Sequence, residues 1–542
     1  MDQDNPAAVP LLSRDLTGPS NAEPEPAPQA GSLDTKERVR LMRDGVVNYS
    51  GFVTNGLAGI ILVPVMLRCL GTETYGLWLA ALATYGMLSG FDFGLHWSVT
   101  REISAAFNSG PSEETVGFVM AAGNLYLLLG MTGAVLIATL SQPISAGLHL
   151  SAHSKKIAPE LFLLVAAIFI ADRLVLFATA ALSGLRRFGV INAISAGAAL
   201  LRLMGSLTLL WTGRSILAIA FWNFVVSALW AWVALERVSS LEPRFRFRLG
   251  RFRWRLVRPH LSFGILSFLT AVAVKIIWDM APFVIGFFQG SAFIVPYSIG
   301  GRFPIALNHV NSRAAETFFP AASERMTAND SAGTRGILQL GTRWILVMAL
   351  PFCILLCITA PSLLHAWVGT SMPDAALILR LTCIAVLAQA FGMGAMQVLW
   401  GRGAARTIFA VLGILAIPSL VLTVGLVRAL GDVGAALALC ISLLSSGSVF
   451  VFLSARVCQL RLTELLADTF RGLLLPNAVC TVCTYAVVRL TKPQHWIGVI
   501  GSCLVGGATY LAVLYFSGAR EEEKQFLRQA LGLRPAPLGR EV

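Results

Sequence analysis

APELFLLVAAIFIADRLVLFATAALS, from Ala158 to Ser183, holds one carboxylate at its start and one Asp-Arg pair, Asp172 and Arg173, near its middle; every other side chain but two is apolar or small. As an α-helix rising 1.5 Å per residue it is about 39 Å long, enough to cross roughly 30 Å of hydrocarbon. Stretches of the same kind recur about fourteen times. They run over 46–70, 75–96, 116–140, 158–183, 191–211, 216–235 and 261–288, then over 292–322, 337–360, 375–400, 407–427, 433–453, 472–490 and 496–516.

The gaps between them orient the chain. With a cytoplasmic N-terminus, the inner side holds Arg101, Arg186, Arg187, the arginine block from Arg237 to Arg258, Arg325, Arg335, Arg402, Arg406, Arg456, Arg461 and Arg471, and more at both termini. The outer side holds only Arg68, Lys155, Lys156, Arg214, Arg428, Arg489 and Lys492. An inner excess of roughly four to one satisfies the positive-inside rule, and the opposite orientation inverts it. Both termini are therefore expected in the cytoplasm.

Composition agrees, with 56% hydrophobic and 13% charged residues and a mean hydropathy of +0.71. A net charge of +13 suggests nucleic acid in a soluble protein, but here the basic residues sit at helix ends facing anionic head groups, so no nucleic-acid partner is expected. Nine cysteines scattered through the spans read as packing residues.

Residues 1–43 read as a disordered cytoplasmic tail, poor in apolar side chains and rich in Pro and Ala. The division that follows is an N-lobe at 44–236, a basic cytoplasmic linker at 237–260, a C-lobe at 261–457, two appended spans at 458–518 and a cytoplasmic tail at 519–542. In the linker, Arg244, Arg246, Arg248, Arg251, Arg253, Arg255 and Arg258 alternate with Phe245, Phe247, Phe252 and Trp254, which suits aromatics at head-group depth and guanidinium groups on the phosphates of anionic phospholipids.

The loops leave no room for a soluble catalytic domain, and neither a zinc motif nor a nucleotide-binding glycine loop is present, so no enzyme activity, metal or other cofactor is expected. What stands out is charge inside the spans, which is expensive there and so a functional candidate. Lys275 and Asp279 lie four residues apart on one face of the seventh span. Arg302, His309 and Arg313 share one line along the eighth. Counted from the outer turn between these spans, Asp279 and Arg302 lie about 14 and 15 Å deep, so they are expected to pair and to leave Lys275 as an unpaired cation. In the N-lobe, Asp172, Arg173 and Arg202 offer similar chemistry, with depths about 9 Å apart that an arginine only partly bridges. Arg343 and Arg380 lie nearer span ends and read as snorkelling. Deep cations outnumber deep anions, which favours an anionic ligand in any cavity between the lobes.

Two regions carry a family resemblance. Leu70 to Trp78 (LGTETYGLW), Gly90 to Leu95 (GFDFGL) and Val99 to Glu102 (VTRE) resemble the opening hairpin of Wzx-type polysaccharide flippases of the multidrug/oligosaccharidyl-lipid/polysaccharide (MOP) exporter superfamily. Trp278 to Met280, Ile285, Gly286, Gly290 and Pro296 to Ile299 resemble the start of that family's second lobe. Asp92 and Arg101 bracket the inner end of span two and are expected at a cytoplasmic gate or lipid head group.

The resemblance implies an all-α integral membrane fold of the MOP/MATE kind: two six-helix lobes around a central cavity, with two further C-terminal helices. It also implies flipping of an undecaprenyl-diphosphate-linked oligosaccharide from the cytoplasmic to the periplasmic leaflet of a bacterial cytoplasmic (inner) membrane by alternating access, beside a polymerase and other glycan-assembly proteins. Lys275, Arg302 and Arg313 are then the expected head-group contacts, with His309 and Arg202 also substrate-facing and Asp279, Asp172 and Arg173 in supporting ion pairs or coupling. The alternatives are a MATE-type multidrug cation antiporter, which the cationic excess opposes, a membrane glycosyltransferase or polymerase, and a non-transporting scaffold.

Overall fold

A computed structural model describes residues 35–107, 110–250, 254–327, 330–520 and 523–524, with side chains described except at 35–53, 55, 259–265, 267, 320, 321, 327 and 331. The tail expected at 1–43 lies outside the described residues as far as 34, and so does 525–542. From Thr35 the chain is already helical. "Outer" and "inner" below denote the arginine-poor and arginine-rich ends of the helices.

The N-terminal half comprises α1 (Thr35–Ser89), α2 (Leu95–Ala105), α3 (Glu113–Gly147), α4 (Ala152–Gly184), α5 (Phe188–Trp211) and α6 (Ile216–Leu241). Then come α7 (Trp254–Asp279), α8 (Ala281–Gln289), α9 (Ile294–Glu316), α10 (Phe319–Thr327), α11 (Ser331–Val368), α12 (Pro373–Gly401), α13 (Ala405–Leu430) and α14 (Asp432–Val457). The chain closes with α15 (Leu462–Phe470), α16 (Leu474–Thr491) and α17 (Trp496–Val513). Side-chain oxygens start several of these helices: Ser112 accepts from Thr115 N, Ser151 from Ser154 N and Asp330 from Gly333 N, each satisfying a backbone donor that the first turn leaves open. This bond, with the Arg325 guanidinium beside it, holds the Asp330 carboxyl below its usual range.

Gly71 breaks α1 with φ 78° and ψ 169°, a conformation open to glycine and strained for residues with a Cβ. The chain reverses there. Gly76, just past the break, meets Ser291 at the outer turn, whereas Gly59 and Gly90 on either side meet the deep residues Arg302 and Lys275. One continuous helix in name is thus a hairpin of two spans.

Among the described residues, eleven helices are long and apolar enough to cross a membrane, or twelve when α7 and α8, bent by 42°, count as one broken span. The expected count of about fourteen exceeds this at α1, counted once, and at α9, whose Arg302, His309 and Arg313 lower its hydropathy.

The buried side chains divide unequally along the membrane normal. Towards the outer side one core joins both halves, running from Leu77, Leu148 and Phe162 to Ile285, Ile294, Trp367 and Leu379. Towards the inner side there are two separate cores, one of Leu95, Phe118, Tyr126, Phe177 and Phe245, the other of Ile277, Leu338, Val398, Leu443 and Phe450. The lobes are welded by one core at the outer end and have separate cores at the inner end.

Candidate functional site: the charged groups between the lobes

The outer weld is also hydrogen-bonded. Ser291 N donates to Leu148 O at 3.1 Å, Trp367 Nε1 to Ile60 O at 2.8 Å, and Arg68 Nη2 to Val368 O at 3.4 Å, each joining the N-terminal half to the C-terminal half. At the inner side the halves meet through aromatic rings, Phe91 and Phe93 against Phe268 at 5.2 and 4.4 Å between centroids. The deep charges lie between these two closures.

Lys275 and Asp279 pair with each other, Nζ donating to Oδ2 at 2.7 Å. The expected Asp279–Arg302 pair does not form, and Lys275 is not the unpaired cation. A spacing of four puts both groups on one face of α7 whatever the neighbouring helices do, whereas the Arg302 pairing depended on how α9 is rotated. Packing sets that rotation: Gly300 meets the backbone of Ala375 in α12, so Arg302, about 200° further round, points away from α12 and towards α1. Its guanidinium lies against Gly59, where any Cβ would collide with it. Among the described residues Arg302 has no carboxylate partner, and its side chain is exposed.

His309 lies one face along α9, within electrostatic reach of Arg313, Asp279 and Lys275. Arg313 pairs with Glu316 at 3.0 Å, both well exposed near the inner end, so it stands apart from the deep pair. Arg302, His309 and Arg313 are all exposed along α9, as their spacing requires.

In the N-terminal half, Arg202 Nη2 reaches Asp172 Oδ1 at 3.3 Å and Ser227 Oγ at 2.6 Å, while Tyr85 donates to Asp172 Oδ2 at 2.8 Å. The expected depth mismatch is corrected: α4 and α5 extend beyond the apolar stretches, and counted from their inner ends Asp172 and Arg202 sit about 18 and 21 Å up. Arg173 points the other way; it is 4% exposed, donates to Ser89 O at 2.9 Å and lies over the Phe169 ring at 4.7 Å. Asp92 accepts from Gly94 N at 3.2 Å and shapes the turn into α2, whereas Arg101 pairs with its neighbour Glu102 at 3.4 Å and leaves Asp92 alone.

Arg343 does not snorkel. It is 1% exposed, donates to both oxygens of Glu523 at 2.6 and 3.1 Å, and also reaches Arg471 O at 2.6 Å and Gly518 O at 2.9 Å. Arg380 remains exposed, with Nε on Cys357 O at 3.1 Å. Sequence reasoning missed Tyr85, Ser227, Gly59 and Glu523. A tyrosine or serine in an apolar stretch carries no distinguishing signal, and Glu523 sits in a charged terminus that reads as solvated.

The model of the polysaccharide biosynthesis protein family matches residues 41–326, more than half of the chain. The chain belongs to that family. The match covers α1 to α9 and hence every charged group of the site. The fold of this family member is similar to that of the lipid II flippase MurJ in an inward closed conformation, with a TM-score of 0.67 at 14% identity over 90% of this chain and 99% of that one. It is similar also to an inward-facing multidrug-resistance MATE transporter of the MOP superfamily, with a TM-score of 0.60 at 14% identity, covering 77% and 95% of the two chains. A third similarity is to a MOP-superfamily transporter from Pyrococcus furiosus described by the reverse polarity of its binding pocket, with a TM-score of 0.55 at 13% identity over 79% and 95%. A search of curated proteins returned no match. The all-α fold is thus one shared with a flippase and with transporters.

Proposed function

We propose that this protein carries an undecaprenyl-diphosphate-linked oligosaccharide across a bacterial cytoplasmic membrane, from the cytoplasmic to the periplasmic leaflet, by alternating access. The observation that carries the reading is Arg302. It is a permanent cation at membrane depth, exposed, with no carboxylate partner among the described residues, beneath an outer weld and above an inner end where the lobes have separate cores. A diphosphate is the ligand such a cation suits, because charge-assisted bonds from guanidinium to phosphate replace the water the head group leaves behind. Lys275 would add a second cation once Asp279 releases it, and His309, near both, a donor to sugar or phosphate.

The cation-antiporter reading needs a free acidic group in the cavity. Both deep acids, Asp172 and Asp279, are already held by a basic side chain. A binding pocket of reverse polarity is also described for the Pyrococcus furiosus transporter of similar fold.

The test is the cellular location of the lipid-linked intermediate. A deletion strain should accumulate it on the cytoplasmic face, wild-type protein should clear it, and Arg302→Ala at matched membrane level should not. Normal clearance by Arg302→Ala overturns the assignment of the anion site; absence of any accumulated intermediate overturns the substrate.

A further inference from the structure

The basic linker is a strap built into the N-terminal lobe. Beyond a short 3-10 turn at Pro243–Phe245, burial alternates as far as Arg248: Phe245 is 2% exposed inside the lobe's inner core and Phe247 packs on it, 6.2 Å from the Phe177 ring, whereas Arg244, Arg246, Arg248 and the Leu249 that follows are exposed. That is the period of an extended chain, with successive side chains on opposite faces. Of the aromatics expected at head-group depth, Phe245 and Phe247 are instead under the strap, because two rings in a protein core lose more water than two rings at an interface; Trp254 is exposed, and Phe252 lies outside the described residues.

Two anchors hold it. At its start Arg244 donates to Glu242 Oε1 at 3.0 Å and to Pro111 O at 3.0 Å, and this bond holds the Glu242 carboxyl below its usual range. At its end the Asn124 side chain grips the backbone twice, donating from Nδ2 to Arg248 O at 3.3 Å and accepting from Gly250 N at 3.4 Å. The strap is therefore fixed in register, and Arg246 and Arg248 must face outward on the same side.

Their level follows from α3. This helix has 35 residues, about 52 Å, against roughly 30 Å of hydrocarbon. Centred on the slab, it leaves the hydrocarbon near residue 120, one turn from Asn124. The outward arginines thus lie at the inner boundary of the apolar layer, within snorkelling reach of phosphates. Among the described residues, Arg246 and Arg248 have no carboxylate partner.

We propose that this face is a docking site for anionic phospholipid of the inner leaflet, with phosphodiesters on Arg246 and Arg248 and the acyl chains running from there into the apolar layer. The site is separate from the deep cations between the lobes and does not depend on the identity of the transported substrate.

The experiment compares full-length protein in nanodiscs of phosphatidylcholine doped with phosphatidylglycerol, reading lipid enrichment around the protein by mass spectrometry after brief detergent release. Each arginine near an anionic surface strengthens binding about five-fold, so Arg246→Gln with Arg248→Gln should weaken phosphatidylglycerol retention about twenty-five-fold and leave phosphatidylcholine unchanged. Gln keeps the length of the side chain, and an unchanged melting temperature confirms the fold. Retention of phosphatidylglycerol by the double variant overturns the proposal. So does equal competition by inorganic phosphate, which marks a site for free anions, or displacement only by a lipid diphosphate, which marks an extension of the transport site.

Discussion

The Arg343–Glu523 pair sets a measurable limit on how the last two spans are held. Glu523 is 3% exposed and its two oxygens receive Arg343 Nε, Arg343 Nη2 and the backbone N of Arg520 at 2.6, 3.1 and 2.8 Å. Breaking a buried pair by removing one partner costs about 3 to 5 kcal/mol, since the survivor stays charged and out of water. Glu523→Ala belongs at about 3 kcal/mol, because the guanidinium keeps the carbonyls of Arg471 and Gly518. Arg343→Ala belongs near about 5 kcal/mol, because it strands a buried carboxylate and empties those carbonyls together. The reporter is Cys480, fully buried in the small core that α16 and α17 share with α11. In a variant retaining Cys480 as its one cysteine, reaction with a membrane-permeant maleimide reads the opening of these helices. If the pair holds them, Glu523→Ala accelerates labelling about a hundredfold, and Arg343→Ala accelerates it further. Replacing both by apolar residues, Arg343→Met with Glu523→Leu, should restore most of the protection. Labelling within three-fold of the parent in both single variants would refute the argument.

The remaining expectations concern topology and the deep charges. In a background with the exposed Cys69 replaced, an impermeant thiol reagent applied outside should label Ser371→Cys but not Ser240→Cys; equal labelling of these two exposed positions defeats the orientation. Asp279→Asn should weaken export less than Arg302→Ala, because it frees Lys275 and removes no cation; a dead Asp279→Asn beside an active Arg302→Ala would favour a proton-coupled exporter. Gly59→Ala should displace only the flexible end of Arg302, and so reduce export several-fold with little change in melting temperature. Unchanged export in that variant would show that the position of this guanidinium is immaterial.

Span placement and the inventory of deep charges were legible in the sequence, because each follows from local quantities. Helix length against bilayer thickness needs no partner, and the high desolvation penalty of a buried charge marks Lys275, Asp279, Arg302 and Asp172 wherever they point. Even the Lys275–Asp279 pair was present as a spacing of four. Its partner choice was missed because depth was weighed and rotation was not.

What tertiary structure decided is rotation and chain reversal, which depend on side chains from distant segments. Gly300 against α12 turns Arg302 towards α1; Tyr85 and Ser227 come from two further helices to share Asp172 and Arg202; Glu523 returns from beyond the last span to bury Arg343. The alternation of Phe and Arg in the linker was plain, yet which layer took the rings depended on a vacancy between α3 and α4 that only packing creates. A sequence lists which charges the membrane must accommodate, and the energy that settles their partners lies in contacts between helices remote along the chain.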